Sequence, residues 1–284
     1  MAEKQISSTA MFTTMLRAVH QTTDSEPKIL VDPVSVKLAE QFEGTAMWAA
    51  FGSLPAPLLR VIREALVLRN RFTEDVLQEV AIGDQCQYVI LGAGFDTFAY
   101  RQPSWVKGTR IFEVDHPATQ EAKRTVLHEA SISVPENLYF CPVDFQQTSL
   151  RNALAEASFE FDVPSVFSWL GVTQYITQAA IQSTLEFIRS LPQSSTVVLS
   201  FIPIDAVLDE KERQFIAEFE RLAAARGEPF LSRFDPKNLQ KLLGYIGFSR
   251  VSYLSPEEAQ ERYFKGRADG LAAPSLEQLM RATV

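Results

Sequence analysis

Apolar and polar positions along the chain change period several times, and the changes mark its elements. Short uncharged or β-branched runs recur at Tyr88–Leu91, Arg110–Val114, Leu138–Cys141, Val163–Leu170, Thr196–Ile202 and Phe248–Tyr253, each short enough to be a strand buried in a sheet. Thr196–Ile202 is the clearest of them, being β-branched and without charge. Between them the spacing turns helical: Ala118–Ala130, Leu150–Ala157, Ala179–Leu191, the charged amphipathic stretch Val207–Ala225, and a helix capped by Asp235 with Pro236 at its first position. Gln260–Lys265 reads as an antiparallel edge strand. Before the first strand the pattern is helical, over Ser7–Val19, from Asp32-Pro33, and along Leu58–Ala81, with a loop by composition at Thr22–Pro27. Strands alternating with helices predict an α/β, doubly wound, mostly parallel seven-stranded sheet of Rossmann-like type, preceded by a helical cap. The expected organisation is one domain over 1–284, with the cap at 1–82 and the α/β core at 83–284; there are no repeats, low-complexity tracts or clear linkers.

The segment Gln87–Pro117 organises the rest. Its first strand runs straight into Gly92-Ala93-Gly94, where two glycines allow a sharp turn and close approach of a ligand to the main chain. A short helix is expected next, then a second strand ending on Asp115, 21 residues past Gly94. An acid about 20 residues beyond such a turn accepts from both hydroxyls of a ribose diol. The third glycine of a dinucleotide fingerprint is absent, since Thr97 stands there, and Asp96 adds a carboxylate beside the turn. That charge suits a diphosphate poorly and a cationic or zwitterionic ligand better. S-adenosyl-L-methionine, with an ammonium, a sulfonium and no phosphate, meets the description.

LGAGFDTFAYR followed by FEVDHP resembles the leucine carboxyl methyltransferase family, and within it the bacterial branch of S-adenosylmethionine-dependent O-methyltransferases. Leu68-Arg69-Asn70-Arg71-Phe72, Pro142-Val143-Asp144-Phe145, Ser168–Tyr175 and Tyr263–Leu271 resemble further features of that branch in the same order, so the likeness covers nearly the whole chain. The resemblance implies a class I methyltransferase fold whose first helices cap the cofactor and shape the substrate pocket. It implies that Arg71 holds the methionine carboxylate of the cofactor, a role suited to a bidentate guanidinium, with Arg17 a weaker second candidate. Asp144 is placed to accept from the adenine amino group, or to cap the helix after it, or both, and Phe145 to pack on the ring. Gly92, Ala93, Gly94, Asp96, Asp115 and Leu170 complete the expected cofactor site. Tyr175 and Gln174 are the substrate-pocket candidates. Where eukaryotic members carry a glutamate, this chain has Leu170, which argues against methylation of a protein terminus.

Composition narrows the partners. The net charge of −8 and pI near 5.1 argue against nucleic acid or an anionic membrane as the main partner. Cys86 and Cys141 read as buried small hydrophobes, and His20, His116 and His128 show no metal-binding spacing, so no metal is expected. The N-terminus is polar and no run of 18 apolar residues occurs, which makes the cytoplasm the simplest location.

The expected activity is methyl transfer from S-adenosyl-L-methionine to a carboxylate or hydroxyl of a small molecule. An ionised carboxylate needs no base, whereas a hydroxyl does, and no base is strongly marked in the chain. Two other readings remain: a nicotinamide-dependent oxidoreductase on the same half-fold, and a silent cofactor-binding or scaffold protein. Cofactor retention separates the first from the methyltransferase; turnover separates the second.

Overall fold

The computed structural model describes residues 8–81, 86–106, 108–143, 149–225 and 227–284. Seven strands form one sheet in the order β3-β2-β1-β4-β5-β7-β6. The strands are β1 (Gln87–Leu91), β2 (Arg110–Asp115), β3 (Leu138–Pro142), β4 (Ser165–Trp169), β5 (Thr196–Phe201), β6 (Arg250–Leu254) and β7 (Gln278–Thr283). The first five run parallel, and β7 lies antiparallel between β5 and β6. Strand order reverses between β1 and β4, and ligands of such sheets bind at the carboxyl ends of the strands flanking that switch.

Alternate strand residues supply two cores, because successive side chains point to opposite faces. Val89, Leu91, Phe112, Val114, Phe167, Val197 and Leu199 pack one face with α6 (Leu150–Glu156), α7 (Gln178–Arg189) and α9 (Pro236–Ile246). On the other face Tyr88, Ile90, Ile111 and Val166 pack with Leu77, and Val198 and Leu279 pack with Val67, Leu68, Phe72 and Val76; these five residues belong to α4 (Ala56–Ala81). Helices α1 (Ser8–Thr23), α2 (Pro33–Glu40) and α3 (Ala46–Gly52) precede α4. Asp32 caps α2, with Pro33 in the first turn, and Asp235 caps α9 by accepting from Asn238 N–H at 2.9 Å. Both cysteines are free and buried. The expected division between cap and core falls outside the described residues. Among the described residues no helix is long and apolar enough to cross a membrane.

Two expectations are corrected. Gln260–Lys265 is not a strand. Ser255 caps a helix, α10 (Pro256–Ala259), by accepting from Glu258 N–H, and the chain continues helically over Gln260–Phe264. The antiparallel strand comes later, at Gln278–Thr283, and fills an interior rather than an edge position. The short helix expected after the glycine turn is instead two single 3₁₀ turns, Phe98–Tyr100 and Ser104–Val106.

One buried pair is pH-sensitive. Glu113 of β2 and Lys123 of α5 (Pro117–Glu129) meet at 2.7 Å with both side chains essentially unexposed. Burial pushes the Glu113 carboxyl up to about 7, against the pull of Lys123. A raised folded-state value means that the folded chain holds this proton more tightly than the unfolded chain. The carboxyl's contribution to stability is therefore full below its ordinary value near 4.5 and is lost as pH rises to about 7. The difference in urea-unfolding free energy between wild type and Glu113→Gln is expected to fall across that window; a difference that stays flat with pH refutes the assignment.

Candidate active site

The glycine turn wraps over the end of β2. The amides of Gly92 and Ala93 both donate to the Val114 carbonyl, at 2.8 and 3.1 Å, and that of Gly94 donates to Asp115 Oδ2 at 2.5 Å. His116 N–H donates to the other Asp115 oxygen at 2.6 Å. Burial raises the Asp115 carboxyl above its ordinary value, while these two amides pull it down. The Thr119 side chain also bonds this carboxylate, which with about four lone-pair sites keeps acceptor capacity for a ligand. Gly92 has φ +68, and a Cβ there would lie 2.4 Å from Val172 Cγ2, so both backbone conformation and space require glycine.

Behind the turn, the cap grips the loop through buried charges. Arg17 Nε donates to Asp32 Oδ2 at 3.0 Å, and another guanidinium nitrogen donates to the Phe95 carbonyl at 2.7 Å. Asp32 also accepts from Thr97 Oγ1 at 2.8 Å and faces Arg101 at 3.4 Å. Asp96 accepts from Phe98 N–H at 2.8 Å and from Asn70 at 3.5 Å.

These residues surround a cavity of about 310 Å³ at the carboxyl edge of the sheet. Gly92, Ala93, Gly94, Asp96, Asp115, Leu170 and Tyr175 all line it, so the fold brings together most of the residues expected from the sequence. Arg17 lines it as well. Asp144 and Phe145 lie outside the described residues. Arg71 does not line it: its guanidinium pairs with Asp75 at 2.9 Å, and Asp75 also accepts from the Tyr263 hydroxyl at 2.8 Å. The arginine of α4 that reaches the cavity is Arg69. Two positions along an α-helix is a rotation of about 200°, which sends Arg69 and Arg71 to opposite sides of α4. The Tyr263–Leu271 motif thus braces α4 away from the cavity. Its Arg267 and Asp269 hold Ser25 of the loop after α1, through Ser25 O and Ser25 N–H respectively.

A second, apolar chamber of about 80 Å³ adjoins the first, sharing Thr9, Thr13, Arg69, Gly171 and Tyr175 with it. Phe12, Ile62, Leu66, Leu276 and, from α8 (Glu210–Ala225), Ile216 and Phe219 form much of its wall. Gln174 lines it; its side-chain oxygen is buried with no hydrogen-bond partner among the described residues. Burial pushes the Tyr175 hydroxyl up to about 12. Glu277, which the sequence did not single out, lines the chamber and takes Arg69 on both oxygens, at 2.7 and 3.0 Å. A Cβ on Gly171 would lie 2.5 Å from this guanidinium, so Gly171 leaves room for the pair.

A family model described as leucine carboxyl methyltransferase matches residues 10–189. The chain belongs to the leucine carboxyl methyltransferase family. It is 33% identical over 242 residues to YktD of Bacillus subtilis (strain 168), a protein named as a candidate S-adenosyl-L-methionine-dependent methyltransferase; the match covers 84% of this chain and 76% of that one. A Mycolicibacterium paratuberculosis (strain ATCC BAA-968 / K-10) protein of like name is 26% identical over 249 residues, covering 82% and 77%. In fold, the chain resembles a candidate methyltransferase from Thermobifida fusca, with TM-score 0.56, 15% identity, and 95% and 93% of the two chains covered. As a family member the chain is a methyltransferase with a seven-stranded α/β fold of the expected kind.

The cavity fits an S-adenosyl-L-methionine molecule by its donor set. Arg17 and Arg69 are cations for a carboxylate, and the buried Nε of Arg69 has no partner among the described residues. Asp96 and Glu228 are anions for an ammonium, and Asp115 is an acceptor for a diol. With three acids against two arginines among its described lining residues, the cavity is a poor host for a diphosphate.

Proposed function

We propose that the chain methylates an oxygen of a small, largely apolar molecule held in the chamber beside the cofactor cavity. Its cofactor is S-adenosyl-L-methionine, which supplies a methyl group on a sulfonium that becomes neutral on transfer. The observation that carries the reading is the adjacency of the two spaces: one polar and edged by Gly92–Gly94 and Asp115, the other apolar, joined through Arg69, Gly171 and Tyr175. The chain's own part is mostly positioning and exclusion of water. Asp115 orients the ribose end, Arg17 and Arg69 the carboxylate end, and the chamber wall the acceptor. The small size of the chamber and Leu170 in place of an acid support a small molecule over a protein terminus.

Calorimetric titration with S-adenosyl-L-methionine, S-adenosylhomocysteine and NAD tests the cofactor half. Both adenosyl ligands are expected to bind and NAD not to; binding of NAD alone overturns it. The same titration separates the two arginines. Losing a charged hydrogen bond to the carboxylate costs about 1.5–3 kcal/mol, so Arg69→Met is expected to weaken binding at least tenfold. Arg71→Met is expected to bind like wild type, and the reverse order would return the role to Arg71.

A further inference from the structure

The polar groups of the apolar chamber specify what kind of oxygen it accepts. Gln174 is 4% exposed and lines the chamber, and its side-chain oxygen is buried with no hydrogen-bond partner among the described residues. Glu277 is the only carboxylate among the described lining residues, and its side chain is 12% exposed. The guanidinium nitrogen of Arg69 that faces it is committed to both its oxygens. That pairing leaves Arg69 Nε, buried and without a partner among the described residues, to the cofactor carboxylate, and leaves the Glu277 carboxylate and the Gln174 oxygen as acceptors for a newcomer. An ionised carboxylate donates nothing to Gln174 and would stand beside Glu277, or else compete with it for the one Arg69 nitrogen that pairs it, which is unfavourable for a buried acid. A hydroxyl donates to an acceptor and leaves the ion pair intact. The wall carries the rings of Phe12, Phe215, Phe219 and Tyr175, and the small size of the chamber favours a single ring over a fused system.

We propose that the acceptor is a monocyclic phenol and that Glu277 takes its proton. This rests on the methyltransferase reading and names its substrate class. The phenol proton passes to a Glu277 carboxylate oxygen as the phenol oxygen bonds the methyl carbon. The electron pair of the broken sulfur–carbon bond stays on sulfur, and solvent removes the proton from Glu277 after the product leaves. Glu277 reaches the site because β7 runs antiparallel. Gln278 pairs with Phe201 at the carboxyl end of β5, so the residue before it arrives at the ligand edge.

The test uses the full chain saturated with S-adenosylhomocysteine and titrated calorimetrically with 4-ethylphenol and 4-ethylbenzoate. Like-charge contact is costly, so wild type is expected to bind the phenol at least about tenfold more tightly than the benzoate. Removing the charge in Glu277→Gln is expected to cut that preference by about tenfold. Turnover of 4-ethylphenol by Glu277→Gln is expected to fall about 100-fold at pH 7 and to recover above about pH 10, where a phenol ionises unaided. A loss that persists at high pH marks a structural role and overturns the proton assignment. Ala223→Leu, which fills the chamber, is expected to weaken phenol binding and leave S-adenosylhomocysteine affinity unchanged. Equal or tighter binding of the benzoate by wild type, or binding of neither probe, overturns the substrate class. Failure to bind S-adenosylhomocysteine is read separately and removes the methyltransferase reading itself.

Discussion

Asp115→Ala is expected to weaken S-adenosyl-L-methionine binding by at least about 100-fold, because two charged hydrogen bonds to a diol, at about 1.5–3 kcal/mol each, are lost together. The carboxylate also accepts from the amides of Gly94 and His116, so its removal frees the turn that shapes the cavity. Calorimetry measures the affinity, and thermal unfolding monitored by circular dichroism checks that the fold survives. Asp115→Asn keeps one acceptor and gives an intermediate loss. Unchanged affinity in the alanine variant would remove Asp115 from the ribose role.

Asp32→Ala is the variant expected to cost most in stability, about 3–5 kcal/mol, because it breaks a buried ion pair and leaves a charge without its partner. Asp32 is fully buried and holds Arg17, itself 4% exposed, along with Thr97 and the first turn of α2. Arg101, which also faces Asp32, retains Glu74. Since Arg17 grips the carbonyl of Phe95 in the glycine loop, the loss is expected to reach the cofactor cavity and lower affinity there too. Urea unfolding measures the first effect and calorimetry the second. A stability within 1 kcal/mol of wild type, by the usual scale for surface substitutions, would show that the cap is held by its apolar contacts alone.

Much of the site was legible because its signals are local. Gly92, Gly94 and Asp115 are spaced by the length of one strand–turn–strand unit, a spacing the backbone imposes wherever such a unit folds. The caps at Asp32 and Asp235 are equally local, since a side chain there answers amides two or three residues on. Ser255-Pro256 with Glu258 is a signal of the same kind, and it explains why Gln260–Phe264 continues a helix. Helix α3, capped by Thr45, carries the same kind of local signal.

What the chain's order of residues determined by itself is the family, the parallel strands and the glycine–acid unit. Each depends on contacts between near neighbours or on a pattern repeated along one element. What only the tertiary structure decided is which arginine of α4 turns to the cavity, where the antiparallel strand inserts, and that Glu277 meets Arg69 across 208 positions of chain. Helix phase relative to a distant sheet sets the first. Strand β7 carries Gln278, Arg281 and Thr283 yet is almost wholly buried, because neighbours on both sides satisfy its backbone, and no local period announces that. The acid at its start therefore reaches the site only once β5 and β6 are in place to receive the strand.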